Sequence, residues 1–332
     1  MTDSSLLCLR CMHALPYAGA PCPACGAVNG SLQNRGDQLR CGQLLEGGKY
    51  LIGQALGQGG FGVTYVAWDR NLHEKVAVKE YFPQGFVSRE PDRSTVGVLS
   101  ENQRSVFTGG AQRFTDEART LLRFRTVPGI VGIREFFQEN GTAYIVMDFI
   151  DGVTLKKLAA ERGGKLPVEE VLFYLLPLTN ALEQVHAAGL LHRDIAPDNI
   201  IVRPDGAAVL LDFGAARQIS SGGEHSNTIN VKHGYAPEEQ YRTRGAQGPW
   251  TDIYALAATM YRLSTGETPP QAMDRVVSDT PITPPRALGA AFTRGEEAAL
   301  LRALSLRGRD RPQSMAEFRA ELVGGQGYRP RA

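Results

Sequence analysis

Two stretches decide how the rest of the chain is read: His192-Arg193-Asp194-Ile195-Ala196-Pro197-Asp198-Asn199-Ile200-Ile201-Val202 and Val209-Leu210-Leu211-Asp212-Phe213-Gly214. A helix-like run, Val168–Ala188, leads into the first, and a Pro204-Asp205-Gly206 turn joins the two. Taken alone, Asp194 reads as a turn-capping aspartate and Asp212 as a strand-end carboxylate. Both gain meaning from what lies on either side.

Upstream, Tyr50–Leu56 alternates like a strand and runs into Gly57, Gly59 and Gly62, a G-x-G-x-x-G pattern with Phe61 inside it. The pattern is weak by itself, because dinucleotide-binding folds share it; there, however, the glycines open a helix. Here Val63–Asp69 alternates as a second strand rich in β-branched and aromatic residues. The result is a strand–glycine loop–strand hairpin whose backbone N–H groups can lie over phosphates. The next strand carries Val76-Ala77-Val78-Lys79. Further on, Phe114, Ala118, Leu121, Leu122 and Arg125 repeat at helical spacing. Glu117 is one residue off that stripe, so it can face a partner lysine. Thr142–Phe149 forms another strand.

In this order the motifs resemble the eukaryotic-type protein kinase family, in particular its bacterial Hanks-type serine/threonine branch. The matching positions are the glycine loop, Lys79, Glu117, His192-Arg193-Asp194 with Asn199, and Asp212-Phe213-Gly214. Ala236-Pro237-Glu238, Asp252 at a helix start and a late Arg311 follow. These motifs, in register, span residues 50–323. The resemblance implies an α+β, bilobal protein-kinase fold: an antiparallel-sheet N-lobe with one helix (about 50–147) and a mainly helical C-lobe (about 151–323). It implies ATP as substrate and Mg²⁺ or Mn²⁺ as cofactor. Gly57, Gly59, Phe61 and Gly62 then cover the phosphates, and Lys79, held by Glu117, grips them. Asp212 and Asn199 bind the metal, and Asp194 takes the acceptor proton. Met147 becomes the gatekeeper, with Asp148 and Ile150 offering backbone groups to adenine. The implied partner is a protein substrate, with another copy of the chain acting in trans as one candidate.

Three departures stand out. The position two after Asp194, where serine/threonine kinases carry lysine, is Ala196, and Ile195–Asp198 include no cation. Val231 stands where those kinases place a threonine. Lys79 and Glu117 are 38 positions apart, with some 20 extra residues read as a loop around Pro91–Gly110. Two other readings compete: a pseudokinase scaffold that binds nucleotide without turnover, and a small-molecule phosphotransferase. Arg193 and the hydroxyls of Ser220, Ser221, Ser226 and Thr228 suggest phosphate-ordered control of the activation segment.

All five cysteines fall in the first 41 residues. Cys8-x2-Cys11 and Cys22-x2-Cys25 have the spacing of a four-sulfur zinc ribbon over residues 1–27, with a redox dithiol pair as the alternative. Zn²⁺ would be structural, since so short a segment cannot bury a core. His13 and Cys41 are spare. Residues 28–49 read as a linker transmitting few contacts, and 324–332 as a flexible tail. Hydrophobic residues are 42% and charged residues 21%, which excludes a disordered chain. Basic and acidic residues number 36 and 35, so bulk charge gives no case for nucleic acid. With neither a secretory signal nor an apolar run of about 18 residues, no membrane association is expected, and the expected location is cytoplasmic.

Overall fold

The computed structural model describes residues 6–211, the backbone of 217–218, and residues 232–242 and 245–324. It divides into two units, Met1–Thr126 with Gly132–Phe149, and Val127–Val131 with Ile150–Ala332.

The first unit is built on strands β1 (Leu44–Leu45), β2 (Tyr50–Gly59), β3 (Gly62–Asp69) and β4 (Glu74–Tyr81). A hairpin of β5 (Val87–Arg89) and β6 (Val96–Val98) follows, then helix α1 (Arg104–Leu121), β7 (Ile133–Glu139) and β8 (Thr142–Asp148). Six of the strands form one antiparallel sheet in the order β1-β2-β3-β4-β8-β7. Alternating β-branched and aromatic residues put Tyr65, Val78, Tyr144 and Val146 in its core. Phe107, Phe114, Ala118 and Leu121 make the buried stripe of α1, and Tyr81 stacks on Phe107 at 5.4 Å.

The segment between Lys79 and Glu117 is therefore ordered rather than a long loop, and α1 begins ten residues before the start of its sequence stripe. Paired glycines at 109–110 mask the helical pattern there. The hairpin is clipped to the sheet by Arg89, whose guanidinium donates to Glu80 Oε1 and Oε2 at 2.7 and 2.6 Å. Tyr65 and Tyr144 also donate to Glu80, at 2.9 and 3.0 Å. Glu80 is fully buried, and four donors make that burial tolerable.

Within the stretch 28–49, read from the sequence as a linker, β1 belongs to the main sheet, and the segment makes more contacts than the sequence suggests. Asn34 donates to the carbonyls of Leu39 and Gly53 and accepts from Ala55 N–H. The Leu39 N–H donates to the Tyr65 hydroxyl at 3.0 Å. Before it, the Leu9 carbonyl accepts from Gln54 N–H at 2.7 Å. Gly53 permits this approach, because a Cβ there would lie 2.2 Å from the Leu9 oxygen. Asparagine side chains supply backbone partners that the segment cannot find within itself.

The second unit contains β9 (Val153–Thr154), α2 (Leu155–Glu161), α3 (Val168–Ala187) and β10 (Leu190–Leu191). It continues with β11 (Ile200–Val202), β12 (Ala208–Leu210), β13 (Arg217–Gln218) and α4 (Pro249–Thr265). Helices α5 (Ala272–Ser278), α6 (Arg294–Ala303) and α7 (Met315–Val323) complete it. Leu175, Leu182, Leu256, Met260, Leu300 and Phe318 share one helical core. Helix α4 is buried on every face and accordingly central. Short antiparallel pairs, β11 with β12 and with β9, position the loop between β10 and β11.

Candidate active site and cysteine centre

The loop carrying Asp194 is fixed from below by one carboxylate on α4. Asp252, fully buried, accepts from the N–H groups of His192 and Arg193 at 2.8 Å each and lies 2.7 Å from His186 Nε2. Burial opposes its charge, but the His186 hydrogen bond and the Arg193 N–H outweigh it, holding the carboxyl below its usual range. Arg193 takes φ of +67°, a strained value for a side-chain-bearing residue that those two bonds maintain. Asp194 N–H donates to His192 Nδ1 at 3.2 Å, so Nε2 carries the hydrogen shared with the Leu211 carbonyl at 2.8 Å.

Asn199 completes the loop. Its Nδ2 donates to the carbonyl and to Oδ2 of Asp194, at 2.8 Å each, while its own carbonyl accepts from Leu211 N–H at 2.7 Å. Leu211 precedes Asp212; Asp212-Phe213-Gly214, Ser220, Ser221, Ser226, Thr228 and Val231 lie outside the described residues. Lys232 Nζ lies 2.6 Å from Asp198 Oδ1 and 3.6 Å from Asp194 Oδ1.

In the first unit, Lys79 pairs with Thr64 and Ile145 in mid-sheet and is 7% exposed. Glu117 is half-buried on α1. The glycines of the β2–β3 hairpin divide into two kinds. A Cβ on Gly57 or Gly59 would meet nothing within 4 Å, whereas one on Gly62 would lie 2.2 Å from the Glu80 carbonyl. The first two leave room above the loop; the third lets β3 lie against β4. Phe61 is half-buried at the turn. Met147 is buried on β8, and Asp148 N–H is already given to the Gly132 carbonyl at 2.8 Å. Ile150 belongs to the second unit.

The Sγ atoms of Cys8, Cys11, Cys22 and Cys25 all lie within 4.8 Å of one another. Cys8 and Cys25 are 3.6 Å apart, as are Cys11 and Cys22. Tetrahedral coordination with metal–sulfur bonds of ~2.3 Å would put sulfurs ~3.8 Å apart, so the cluster fits such an ion. Burial raises the Cys22 thiol, but the N–H groups of Cys25 and Ala24 outweigh it and bring it down to about 7. Burial pushes Cys11 up to about 12. Cys41 is outside the cluster, and His13 is exposed.

A protein kinase domain model matches residues 50–282. The chain belongs to the protein kinase family. Serine/threonine-protein kinase F of Synechocystis is 33% identical over 294 residues, covering 87% of this chain and 58% of the relative. Serine/threonine-protein kinase PknB of Mycobacterium tuberculosis is 30% identical over 289 residues, 83% of this chain and 42% of that one. The chain thus spans about half the length of these relatives. The solved structure of PpkA-294 in its apo form superposes with a TM-score of 0.74 at 37% identity, over 86% of this chain and 99% of that one.

Three residues of this kinase domain gain roles that the motif reading did not give them. Arg311 is fully buried and donates to Glu239, at 2.7 and 3.1 Å, rather than to the motif residue Glu238. Two adjacent glutamates are indistinguishable in sequence; packing selects the one facing Arg311. His186, on α3, meets Asp252 without any motif to announce it. Lys232 sits beside the Asp194 loop, and the missing cation at 196 was the one available hint. Among the described residues, no helix is long and apolar enough to cross a membrane.

Proposed function

We propose that the chain is an ATP-dependent protein kinase that transfers the γ-phosphoryl group of ATP to a serine or threonine hydroxyl of a protein, another copy of itself included. The carrying observation is the fixation of Asp194: Asn199 holds both its carbonyl and one carboxylate oxygen, above a loop anchored on Asp252. A carboxylate so held can accept the hydroxyl proton as that oxygen attacks the γ-phosphorus. The bond to the bridging oxygen then breaks and ADP leaves with the electron pair. Lys79 supplies charge to the phosphates, oriented by Glu117. Gly57 and Gly59 let the hairpin backbone approach them. Asp148 contributes its carbonyl to adenine, since its N–H is committed, and Ile150 its backbone groups beside Met147. Asn199 and Asp212 would hold Mg²⁺ or Mn²⁺, which neutralises phosphate charge when bound.

In this reading, Cys8, Cys11, Cys22 and Cys25 hold a structural Zn²⁺ in a ribbon over residues 1–27, ahead of a kinase domain over 50–323. Five cysteines outside any disulfide suit a reducing cytoplasm. Incubation of the purified chain with ATP, Mg²⁺ and a protein mixture, followed by mass spectrometry of modified sites, tests the proposal. Phosphoserine or phosphothreonine on protein is expected; phosphate on a small molecule alone, or none, would refute it.

A further inference from the structure

The catalytic loop lacks a cation of its own where phosphoryl transfer concentrates negative charge. Ile195 through Asp198 offer none, and Ala196 is fully buried. Yet an ammonium does reach the Asp194 carboxylate, from 38 residues further along the chain. Lys232 Nζ is 3.6 Å from Asp194 Oδ1, on the carboxylate oxygen other than the one Asn199 holds. Asp198, four residues after Asp194, holds the same ammonium at 2.6 Å.

We propose that Lys232 is a catalytic residue of this kinase: its ammonium, aimed by Asp198, contacts the transferring phosphoryl group beside Asp194. This inference rests on the kinase reading above.

Exposed ion pairs are common and contribute little to stability, so position must carry the argument. The backbone at Lys232 is not a loose surface strand. Its carbonyl accepts from the N–H groups of both Tyr235 and Ala236 at 3.0 Å. The turn that follows is seated tightly: Gly234 has φ of +82°, and a Cβ there would fall 2.3 Å from Thr268 Cγ2 and 2.9 Å from the Pro269 carbonyl. Gln240 then ties the same segment to the loop by donating to the Arg193 carbonyl at 3.0 Å. Lys232 is thus rooted through the residues that follow it.

The chemistry follows from distance. An acceptor hydroxyl must come within ~2.6–3.2 Å of the Asp194 carboxylate to give up its proton. The phosphorus it attacks lies one forming bond beyond. A cation already 3.6 Å from that carboxylate is where charge develops on the phosphoryl oxygens, and an ammonium has three donors to divide among two carboxylates and a phosphoryl oxygen. Two consequences follow. The missing lysine at position 196 is replaced from another part of the chain, so Ala196 does not mark a dead enzyme. The cation also arrives from the segment that ends the activation region, which makes turnover depend on the placement of that segment.

The test compares wild type with Lys232→Met, Lys232→Arg and Asp198→Asn in the full chain, measuring kcat and KM for ATP, nucleotide binding and Tm. Lys232→Met is expected to lower kcat by about 10²–10³-fold, the loss seen when one transition-state donor is removed. Its KM for ATP should stay within about threefold, as for a contact made mainly in the transition state. Its Tm and nucleotide binding should match wild type. Lys232→Arg should recover part of kcat by keeping the charge. Asp198→Asn should lose less than Lys232→Met, because the ammonium remains. A Lys232→Met enzyme with kcat within about threefold of wild type would overturn the proposal. So would a loss that simply tracks a lowered Tm, or equal losses in Lys232→Met and Asp198→Asn. A wild-type chain that transfers no phosphate would instead remove the kinase reading on which it rests.

Discussion

Asn199 grips Asp194 twice through one amide nitrogen, donating to its carbonyl and to its Oδ2 at 2.8 Å each. The first bond shapes the loop and the second aims the carboxylate. Asn199→Ala removes both, and a carboxylate displaced by an ångström or so is expected to cost about 10²-fold in kcat. Steady-state kinetics at saturating ATP and Mg²⁺ check this; a variant with wild-type kcat would separate Asn199 from catalysis.

Asp252 gives a pH prediction. Its folded pKa is held below the ordinary value, so the stability it contributes is fully present above the unfolded pKa, about 3.9, and is lost as pH falls through the lower folded value. The Tm gap between wild type and Asp252→Asn should therefore be widest at neutral pH and narrow below about pH 4. A gap that stays constant down to pH 3 would contradict this reading of the anchor.

The buried pair Arg311–Glu239 separates two neighbouring glutamates. Glu239→Gln leaves a fully buried guanidinium short of its counter-charge and should cost about 3–5 kcal/mol. Glu238 pairs with the exposed Arg242, and Glu238→Gln should cost under about 1 kcal/mol. Denaturant titration of both variants decides which glutamate the fold uses.

These pairs show how much of the molecule was legible in its sequence. Strands β2, β3, β4 and β8 and helix α3 stand where the apolar runs and spacing of the sequence put them, with β8 buried along nearly its whole length. The catalytic loop was legible through residue types at fixed spacing. What escaped was tertiary choice. Nothing local distinguishes Glu239 from Glu238, or tells that Arg89 will be buried on Glu80 and so order the hairpin between Lys79 and Glu117. Lys232 reaches Asp194 only because the chain folds back over 38 residues.

The ribbon gives a further prediction, revised by the contacts at Leu9, Asn34 and Gly53. Since the stretch 28–49 is bonded to β2 and β3, stripping the metal with a chelator should lower the Tm of the whole chain, at about 2–4 °C per kcal/mol lost. Gly53→Ala should retain one zinc per chain yet be destabilised by about 1–3 kcal/mol, because its methyl collides with the Leu9 carbonyl. Zinc content measured alongside Tm checks both; an unchanged Tm after complete metal removal would show that the ribbon is energetically separate.

In the proposed function, Asp194 serves as the base in transferring phosphate from ATP to a protein hydroxyl. The direct measurement is labelled phosphate incorporation into protein by wild type and by Asp194→Asn, at equal protein and saturating Mg²⁺-ATP, with nucleotide binding measured in parallel. Wild type is expected to transfer phosphate onto serine or threonine, Asp194→Asn to lose about 10²–10⁴-fold, and the two to bind ATP nearly equally. Equal incorporation by both proteins, or ATP binding by wild type with no transfer at all, would contradict that role.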